Sequence, residues 1–504
     1  MTDRSHILAA LAGALFSFAA LNLFAMSRNF WGFEYPLDDV YIHLAMAEEI
    51  ARGGYGVNPG EYASAASSPL YPLLLTPFAG SDLQRWLPLF WNILFLATAA
   101  VLFGKIMARA APSILGTAAS ALGLFALGAT TTAYSGMENM GHGAASLMII
   151  LGLWHFVETR HVNSLLIIGV FLAPAFRLEG LALSLAAGGT VFLLGNRKSG
   201  ALLMGLGLLP VVAFVAYLHS LDLGLLPNSV VAKLGTGAGG PMRLIEKFQI
   251  NTFVPAGRLL LAATLILTLL ALAHKKSDPN KAWFAIAVSA AALAHLFVGS
   301  IGWMDRYENY ILLSVVAAIS LTLSQVAPRW TGPGIMLILV AGLVTYSPNI
   351  PRVFGWNMRA ISDQQGEMAR FVKEFAKAPV AVNDLGYVSW QNDFYVLDLW
   401  GLASKSALEI RRSDPKPGWA GPLADEHDVR FAMIYEPWIG DALPANWVKL
   451  GELKTNVPDA FLGGAIVSFY ARDSVESDRL IPLLQDWSKD LPPGNAFNYS
   501  GGGE

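Results

Sequence analysis

The chain has 504 residues, and its 34 Lys and Arg with its 37 Asp and Glu make up only 14% of it, where soluble domains carry about 25%. This deficit argues against an ordinary soluble enzyme. The formal net charge is −3, so no overall field attracts nucleic acid, and we expect no nucleic-acid partner. Because the sequence has 0 Cys, disulfides, thiolate metal sites and cysteine nucleophiles are excluded.

The charged side chains are unevenly distributed along the chain. Residues 1–349 hold 35 of them, whereas the much shorter stretch 350–504 holds 36. We therefore predict a membrane domain at 1–349 and a water-soluble domain at 350–504, which we call the tail.

Apolar stretches in the first part are long enough to cross a bilayer, which takes about 20 residues. We count about eleven, near residues 7–26, 86–108, 112–134, 141–157, 161–176, 178–195, 199–221, 255–273, 281–301, 309–326 and 332–348. The sequence thus predicts a polytopic α-helical membrane protein. An odd number of crossings places the two termini on opposite sides.

The distribution of basic residues predicts the orientation. The first apolar run is too long for a signal peptide and is read as an uncleaved helix. With the N-terminus inside, one set of short loops carries Lys105, Arg109, Arg160, Arg197, Lys198, Lys275, Lys276, Lys281 and Arg329. Those loops are cytoplasmic by the positive-inside rule. We expect a bacterial inner-membrane protein whose chemistry and tail face the periplasm or exterior.

The tail alternates helical and strand patterns. A helical pattern covers 357–377, and others lie near 404–412 and 475–487. Strand patterns lie at 380–382, 395–399, 431–435 and 465–470, which predicts a small α/β domain. Residues 495–504 are rich in Gly and polar groups, and we expect them to be disordered.

The strongest local feature is the pair Asp38-Asp39, in the first outer loop at residues 27–85, which we call the first loop. One interpretation is helix capping and a favourable dipole interaction. The other is that one carboxylate is a general base while its neighbour binds a metal or substrate hydroxyls. His43 follows Asp39 by four residues and shares its helix face, although a His near a membrane is often a packed residue.

Other polar residues recur in the predicted outer loops. The first loop continues through a candidate re-entrant segment, and the Gly-rich run 235–240 lacks a Walker lysine and is read as a flexible loop. The short outer segments are Asn58-Pro59-Gly60-Glu61, Ser67-Ser68-Pro69-Leu70-Tyr71, Ser135-Gly136-Met137-Glu138, Arg177-Leu178-Glu179-Gly180, Pro227-Asn228-Ser229 with Lys233, and Asp305-Arg306-Tyr307. Charged residues at helix ends often snorkel or pair, but their shared side favours a common site.

In this order, the run from Asp38 to Leu75 and the segments above resemble the polytopic GT-C glycosyltransferases. Within them the chain is most similar to the mycobacterial arabinofuranosyltransferases that add terminal arabinose to cell-wall arabinan. In the tail, Asn383-Asp384-Leu385-Gly386-Tyr387 and Leu397-Asp398-Leu399-Trp400-Gly401-Leu402 are similar to the C-terminal domain of that group. The resemblance covers most of the chain.

The resemblance implies an inverting transfer of a sugar, such as arabinofuranose, from a polyprenyl phosphate to a glycan or glycolipid acceptor. It implies Asp38 or Asp39 as the base, and we favour Asp38 because the first position best matches the single acidic residue of broader relatives. Cations must hold the phosphate as it departs. The donor-phosphate candidates are Arg177, Lys233, Arg306 and His43.

The remaining predicted contacts complete the site. Substrate-binding candidates are Tyr41, Asn58, Glu61, Ser67, Ser68, Glu138, Glu179, Asn228 and Tyr307. The tail is expected to cover the cavity on the acceptor side, with Asp384, Tyr387 and Trp400 as contacts and Trp419, Trp438 and Trp447 as further flat surfaces for sugars. Asp38-Asp39 is compatible with Mg²⁺ or Mn²⁺, but hard cations usually need several oxygen ligands, so we assign no metal.

Three other classes of protein are considered. An O-antigen ligase or polymerase also uses lipid-linked sugars outside, but it typically relies on Arg and His without an early Asp pair. A transporter of lipid-linked or envelope saccharides would show repeated halves and ionisable groups near the bilayer midplane. A non-enzymatic assembly protein is the third alternative.

Overall fold

The computed structural model describes residues 3–232, 241–413, 415–457 and 462–500. In these ranges the chain is mostly helical, and eight helical stretches are long and apolar enough to cross a membrane: Asp3–Arg28, Asp82–Ala110, Asn139–Thr159, Arg197–Ser220, Pro255–His274, Pro279–Val298, Asn309–Val326 and Pro328–Ala376. Three shorter apolar helices are Ile114–Ala126, Ser164–Phe176 and Gly180–Leu193. The predicted α-helical character and the long apolar helices are confirmed.

The helices are numbered in chain order. Before residue 350 they are α1 (Asp3–Arg28), α2 (Asp39–Ala51), α3 (Tyr71–Leu74), α4 (Leu87–Ala110), α5 (Ile114–Ala126), α6 (Ala129–Tyr134), α7 (Asn139–Thr159), α8 (Ser164–Phe176), α9 (Gly180–Leu193), α10 (Arg197–Ser220), α11 (Asn228–Val231), α12 (Pro241–Phe253), α13 (Pro255–His274), α14 (Pro279–Val298), α15 (Asn309–Val326) and α16 (Pro328–Tyr346). In the tail they are α17 (Gly355–Ile361), α18 (Glu367–Arg370), α19 (Gly386–Ser389), α20 (Lys405–Arg412), α21 (Gly421–Glu426), α22 (Glu436–Ile439) and α23 (Ser474–Trp487).

The predicted apolar stretch 112–134 forms two helices, α5 and α6, and not one. Gly128 adopts φ +75° and ends the first of them, which is the usual role of a left-handed glycine at a helix terminus. The Asn309 side chain donates to the freed Leu127 carbonyl at 2.8 Å. A polar side chain from α15 therefore satisfies the backbone group that the break exposes.

Small residues allow close crossings between helices in the bundle. A Cβ on Gly13 of α1 would lie 1.9 Å from the Ala121 carbonyl oxygen of α5. A Cβ on Gly104 of α4 would lie 2.7 Å from the Ile7 Cα of α1. The N-terminal helix is therefore packed backbone to backbone against two neighbours.

The tail forms one six-stranded sheet in the order β2-β1-β3-β5-β4-β6. Its strands are β1 (Val380–Val382), β2 (Val396–Asp398), β3 (Phe431–Ile434), β4 (Val448–Lys454), β5 (Ile466–Ala471) and β6 (Ala496–Tyr499). The first three pair in parallel, and the others are antiparallel. The predicted sheet is confirmed, and four of its strands fall where the sequence pattern predicted them.

The predicted disorder after residue 495 is wrong for β6, since Ala496–Tyr499 pairs with β4. Phe497 is buried there, and its ring packs edge-on against Phe469 at 5.2 Å and Trp487 at 5.7 Å. Two aromatic residues within a polar, Gly-rich segment are enough to anchor an edge strand. Residues 501–504 lie outside the described part of the chain.

Helical structure continues from Pro328 to Ala376, past the predicted domain boundary at residue 350. The segments Ile350–Phe354, Ser362–Gly366 and Phe371–Ala376 are π-helical turns within this run. The sheet begins immediately afterwards at Val380. The last apolar helix therefore leads into the tail without a loop.

The first loop holds the open edge of the tail sheet. The Asn58 side chain donates to the Val396 carbonyl at 3.0 Å and accepts from the Val396 amide at 2.9 Å, so it pairs with edge strand β2 as a further strand would. The Trp390 indole donates to Gln84 at 3.0 Å, and the Gln391 amide donates to Glu48 at 3.1 Å. Several independent hydrogen bonds therefore dock the tail on this loop.

We predict that Asn58→Ala loosens this edge of the sheet. Truncation leaves the buried Val396 amide and carbonyl unpaired, which costs about 1 to 3 kcal/mol per group. Hydrogen exchange measured by mass spectrometry should become faster in peptides that contain β2. Asn446→Ala, at an exposed tail position, is the control and should leave exchange unchanged. Equal protection of β2 in both variants would contradict the docking role of Asn58.

Candidate functional site

The first loop, other segments before residue 350 and the tail line one cavity of about 500 Å³. Nine residues predicted as site residues line it: Asp38, Asp39, His43, Ser67, Arg177, Arg306, Tyr307, Asp384 and Trp400. They come from segments separated by up to several hundred residues in sequence. The fold thus brings predicted donor-side and acceptor-side residues to one enclosed space.

Asp38 lies at the contact between the first loop and the tail. Its carboxylate accepts hydrogen bonds from the Gly386 amide at 2.6 Å and the Tyr387 amide at 2.8 Å. A Cβ on Gly386 would lie 2.1 Å from the Asp38 carbonyl oxygen, so only glycine permits this approach. Burial and the nearby Asp384 carboxyl raise the pKa of Asp38 well above its usual range.

Asp39 faces the cavity. Its side chain is 34% exposed, whereas Asp38 is 5% exposed. The Asp39 carboxylate accepts from Arg306 Nη2 at 2.6 Å. The two neighbouring carboxylates therefore occupy different environments: Asp38 is held by the tail backbone, and Asp39 pairs with a cation at the cavity wall.

Arg306 is a buried cation with unused donors. It is 2% exposed, and its Nε and Nη1 atoms have no hydrogen-bond partner in the described part of the chain. Unpaired buried donors are costly, and a guanidinium N–H makes a charge-assisted hydrogen bond to a phosphate oxygen. Each fork of the guanidinium includes Nη2, so a ligand that binds two donors at once shares Nη2 with Asp39 or displaces it. The geometry therefore suits a bound oxyanion at this side chain.

A strained segment precedes Arg306. Gly302, Trp303, Met304 and Asp305 all have positive φ, from +48° to +90°, and left-handed conformations of non-glycine residues cost about 1 to 3 kcal/mol each. The Gly302 amide donates to the Glu308 carboxylate at 2.8 Å, which helps to hold the turn. Such strain concentrates at functional sites, and here it fixes the direction of Arg306.

Arg177 is the second cation of the cavity. It donates to Glu138 at 2.7 Å and to Glu179 at 2.8 Å, so both of these carboxylates form ion pairs with Arg177. The Tyr307 ring lies 5.2 Å from the guanidinium of Arg177 and 5.2 Å from that of Arg306. Tyr307 therefore separates two positive charges with its electron-rich faces.

His43 also lines the cavity but is buried. Its Nε2 atom lies 3.9 Å from a Glu138 oxygen, and its ring contacts Tyr71 edge-on at 5.4 Å. Burial lowers its pKa, so it is mainly neutral near pH 7. A neutral imidazole can donate one hydrogen bond to a phosphate but supplies no charge.

Several predicted substrate-binding residues do not line this cavity and contact other protein groups. Tyr41 stacks on Tyr387 at 3.9 Å and donates to Glu34. Glu61 accepts from Asn58 at 2.9 Å, and Ser68 accepts from the Tyr71 amide at 3.0 Å. The remaining ones are Asn228, whose amide donates to Ser64, and Glu138 and Glu179, which pair with Arg177.

Two predictions fall on residues that the structure does not describe. Lys233, predicted to bind phosphate, and the Gly-rich loop 235–240 lie outside the described residues.

Sequence reasoning missed Lys247 and Ser300. Lys247 Nζ donates to Ser300 Oγ at 3.2 Å, and Ser300 lines the cavity. Lys247 belongs to α12, whose apolar residues Met242, Leu244, Ile245, Ile250 and Phe253 are exposed. This helix is too short and too polar to count as a membrane crossing. Its amphipathic pattern is the sequence feature that could have drawn attention to Lys247.

Aromatic residues of the tail form part of the cavity wall. Trp400 and Trp438 line it, with ring centroids 5.3 Å apart. Aromatic faces suit the apolar faces of sugar rings. Of the other predicted tryptophans, Trp447 is buried in the tail core and Trp419 packs against that core.

The residues at Asp38 and Asp39 do not fit a divalent cation. The oxygens of Asp38 accept backbone N–H bonds and Asp39 pairs with Arg306. Across residues 3–232, 241–413, 415–457 and 462–500, no cluster of three or more His, Asp or Glu side chains could hold a metal ion. The predicted optional Mg²⁺ or Mn²⁺ therefore gains no support, and no step below uses it.

The comparisons with known proteins assign no activity. Residues 356–470 match a family described as a domain of unknown function, DUF8728. No curated protein matches the chain. The family match includes Asp384 and both cavity tryptophans but none of the cations or the Asp38-Asp39 pair.

We predict a stability change with pH that depends on Asp384. Burial is the main cause that raises its pKa from 3.8 to about 6. The folded protein therefore retains a proton that the unfolded chain loses above about pH 4, and stability falls as pH rises towards 6. Relative to wild type, Asp384→Asn should raise the unfolding temperature at about pH 8 and flatten its decline between about pH 4 and 7.

The matched control is Asp441→Asn, at an exposed position of the same domain. It should follow the wild-type pH profile. The assignment of the pH effect to Asp384 fails if the wild type and Asp384→Asn have parallel profiles of unfolding temperature.

Proposed function

We propose that this protein is a membrane glycosyltransferase that moves a sugar from a polyprenyl-phosphate donor to a cell-envelope glycan or glycolipid acceptor. The observation that carries the proposal is the pairing of Asp39 with Arg306, whose remaining donors are unsatisfied, at the wall of an enclosed cavity. The Asp39 carboxylate is suited to take a proton from the acceptor, and the Arg306 guanidinium is suited to bind a phosphate. The aromatic wall formed by Trp400 and Trp438 suits a saccharide.

The reaction needs few groups. The acceptor oxygen attacks the anomeric carbon of the donor sugar, the bond from that carbon to the phosphate oxygen breaks, and its electron pair stays on the phosphate. A carboxylate takes the acceptor proton. Cations stabilise the phosphate charge as it develops, and a polyprenyl phosphate leaves as a stable anion without a strong general acid.

Asp39 is the better base of the pair on this geometry, in contrast to the sequence-based preference for Asp38. A base must reach the acceptor hydroxyl, and Asp39 is the more exposed of the two carboxylates in the cavity. Asp38 is occupied by the amides of Gly386 and Tyr387. Asp38 therefore positions the first loop, and with it the adjacent Asp39.

Arg306 contacts the proposed base, Asp39, and also offers donors to the donor phosphate, so phosphate binding affects the base. While it pairs with Asp39, its Nη2 donor occupies the carboxylate that would take the acceptor proton. A donor phosphate that engages the open Nε or Nη1 atom competes with Asp39 for the same guanidinium charge. Phosphate binding thus weakens the hold on Asp39, which favours donor binding before proton transfer.

The membrane arrangement in this proposal has about eleven crossings, with the N-terminus in the cytoplasm and the cavity outside. The eight long helices and three shorter apolar helices support that number. The concentration of Lys and Arg in the other loops supports the orientation. The pentose arabinofuranose is one candidate sugar.

We predict that Asp39→Asn abolishes sugar transfer from a synthetic polyprenyl-phosphate sugar, because the amide cannot accept the proton. A general base contributes about 10² to 10⁴-fold to rate, so kcat should fall by that factor while donor binding remains. Radiolabelled transfer and donor affinity should both be measured on purified full-length protein in nanodiscs.

Asp38→Asn is the comparison, since it makes the same chemical change at the neighbouring carboxyl. It should lower thermal stability, and because Asp38 positions Asp39 it should also lower kcat in the folded fraction, but by less than Asp39→Asn does. A normal rate for Asp39→Asn with an inactive, folded Asp38→Asn would reverse the two roles. Absence of transfer by wild type with every polyprenyl-phosphate sugar tested would reject the proposed reaction.

A further inference from the structure

The polarity of α12 is partly reversed relative to a helix of a soluble protein. Its outward side chains include Phe253 at 84% exposure and Met242 at 75%, and Ile245 and Ile250 are exposed as well. Asn251, by contrast, is buried. A helix in contact with water normally buries its apolar side chains and exposes the polar ones. The reversal indicates that the outward face of α12 contacts an apolar medium.

The position of α12 in the chain points to lipid as this medium. The helix ends at Phe253, and α13 begins two residues later at Pro255 and packs against it. α13 is long and apolar enough to cross a membrane, and it exposes Leu265, Leu269 and Leu272. The exposed apolar side chains of α12 are therefore followed directly by those of a predicted membrane crossing.

Two polar side chains place α12 at the membrane surface and not within the hydrocarbon. Glu246 and Gln249 are exposed on α12 among the apolar residues, and a charged side chain is costly at the bilayer centre. An amphipathic helix in the interface directs apolar side chains towards the acyl chains and polar ones towards the headgroups. α12 also contacts Ser300, which lines the cavity, so this surface is the one on the cavity side.

The inward face of α12 holds the C-terminal end of α14. The Asn251 side chain donates to the Leu296 carbonyl at 2.9 Å and to the Gly299 carbonyl at 3.0 Å. Carbonyls at the end of a helix lack partners within it, so one side chain satisfies two of them. Phe248 stacks on Phe297 with ring centroids 4.7 Å apart. Polar and aromatic contacts therefore join the two helices.

The same end of α14 leads into the turn that directs Arg306. Lys247 of α12 donates to Ser300 at 3.2 Å, and residues 302–305 then adopt positive φ. Non-glycine residues keep left-handed conformations only where the surrounding structure holds them. Glu308 holds the turn through the Gly302 amide, and α12 holds the segment that precedes it.

We propose that α12 is an interfacial helix whose outward face lies in lipid at the membrane surface, while its inward face holds the end of α14 where the turn before Arg306 requires it. The partner is a lipid surface, which α12 contacts through apolar side chains. Two cations and one carboxylate give α12 a formal charge of only +1, so anionic headgroups are not required. The inference uses the membrane arrangement proposed above and does not depend on sugar transfer.

The first test measures the depth of α12 in the full-length protein in nanodiscs of phosphatidylcholine. Because the chain has 0 Cys, a single spin label can be attached in Met242→Cys or Phe253→Cys, with Asn446→Cys in the tail as the control. On α12 we expect label collisions with oxygen, which partitions into lipid, to exceed those with a water-soluble nickel chelate at least twofold. The control should show the reverse order, and adding anionic lipid should leave the α12 labels unchanged.

The second test measures hydrogen exchange by mass spectrometry in peptides that cover residues 296–306. Phe253→Ser weakens the lipid contact and Asn251→Ala removes the hold on α14, so each should accelerate exchange there at least threefold. Val475→Ser removes another strongly exposed apolar side chain, in the tail. It is the matched control and should leave this exchange unchanged. Thermal unfolding verifies that each variant is folded.

Three results would overturn the inference. Labels on α12 that collide more with the nickel chelate would show a face in water. Labels shielded from both reagents, with disulfide cross-links between two chains that carry Phe253→Cys, would show a second copy as the occupant. Unchanged exchange in both Phe253→Ser and Asn251→Ala would remove the hold on the turn. A protein that meets both expectations but transfers no sugar would reject the proposed function alone.

Discussion

The arrangement of the site depends on the buried carboxylate of Asp38. A carboxylate removed from water needs hydrogen-bond donors, and the amides of Gly386 and Tyr387 in the tail provide them. The contact fixes the start of α2 against the tail, so the next residue, Asp39, is directed into the cavity. Asn58 extends the same attachment to the edge of the sheet. The tail is therefore a wall of the cavity and not a separate appendage.

A second constraint is the balance of charge around Tyr307. Buried cations are stable only when paired or when an anion is bound, and the carboxylates Glu138, Glu179 and Asp39 provide this pairing without a ligand. In our proposal a lipid phosphate competes with Asp39 for Arg306. Phosphate binding would then break the ion pair between Arg306 and Asp39, and Asp39 could act as the base.

The sequence predicted much of the fold because its patterns are local. Long apolar runs and four strand patterns correspond to helices and strands, and nine predicted residues meet at one cavity. Pairing across distant segments was not predictable: Asn58 and Tyr41 proved to be structural partners of the tail. Nor did any local pattern distinguish Asp38 from Asp39, since their difference arises from amides more than 340 residues away. Lys247 was missed because its helix has too little apolar length to stand out.

The central claim is that a donor phosphate and a sugar occupy the cavity at Arg306 and Asp39. The most direct measurement is a cryo-electron microscopy structure of the full-length protein in nanodiscs with a non-hydrolysable polyprenyl-phosphonate sugar. The account predicts that the phosphonate contacts Nε or Nη1 of Arg306, and that the anomeric carbon faces the Asp39 carboxylate. Density for the analogue outside this cavity, with Asp39 and Arg306 still paired around an empty space, would contradict it.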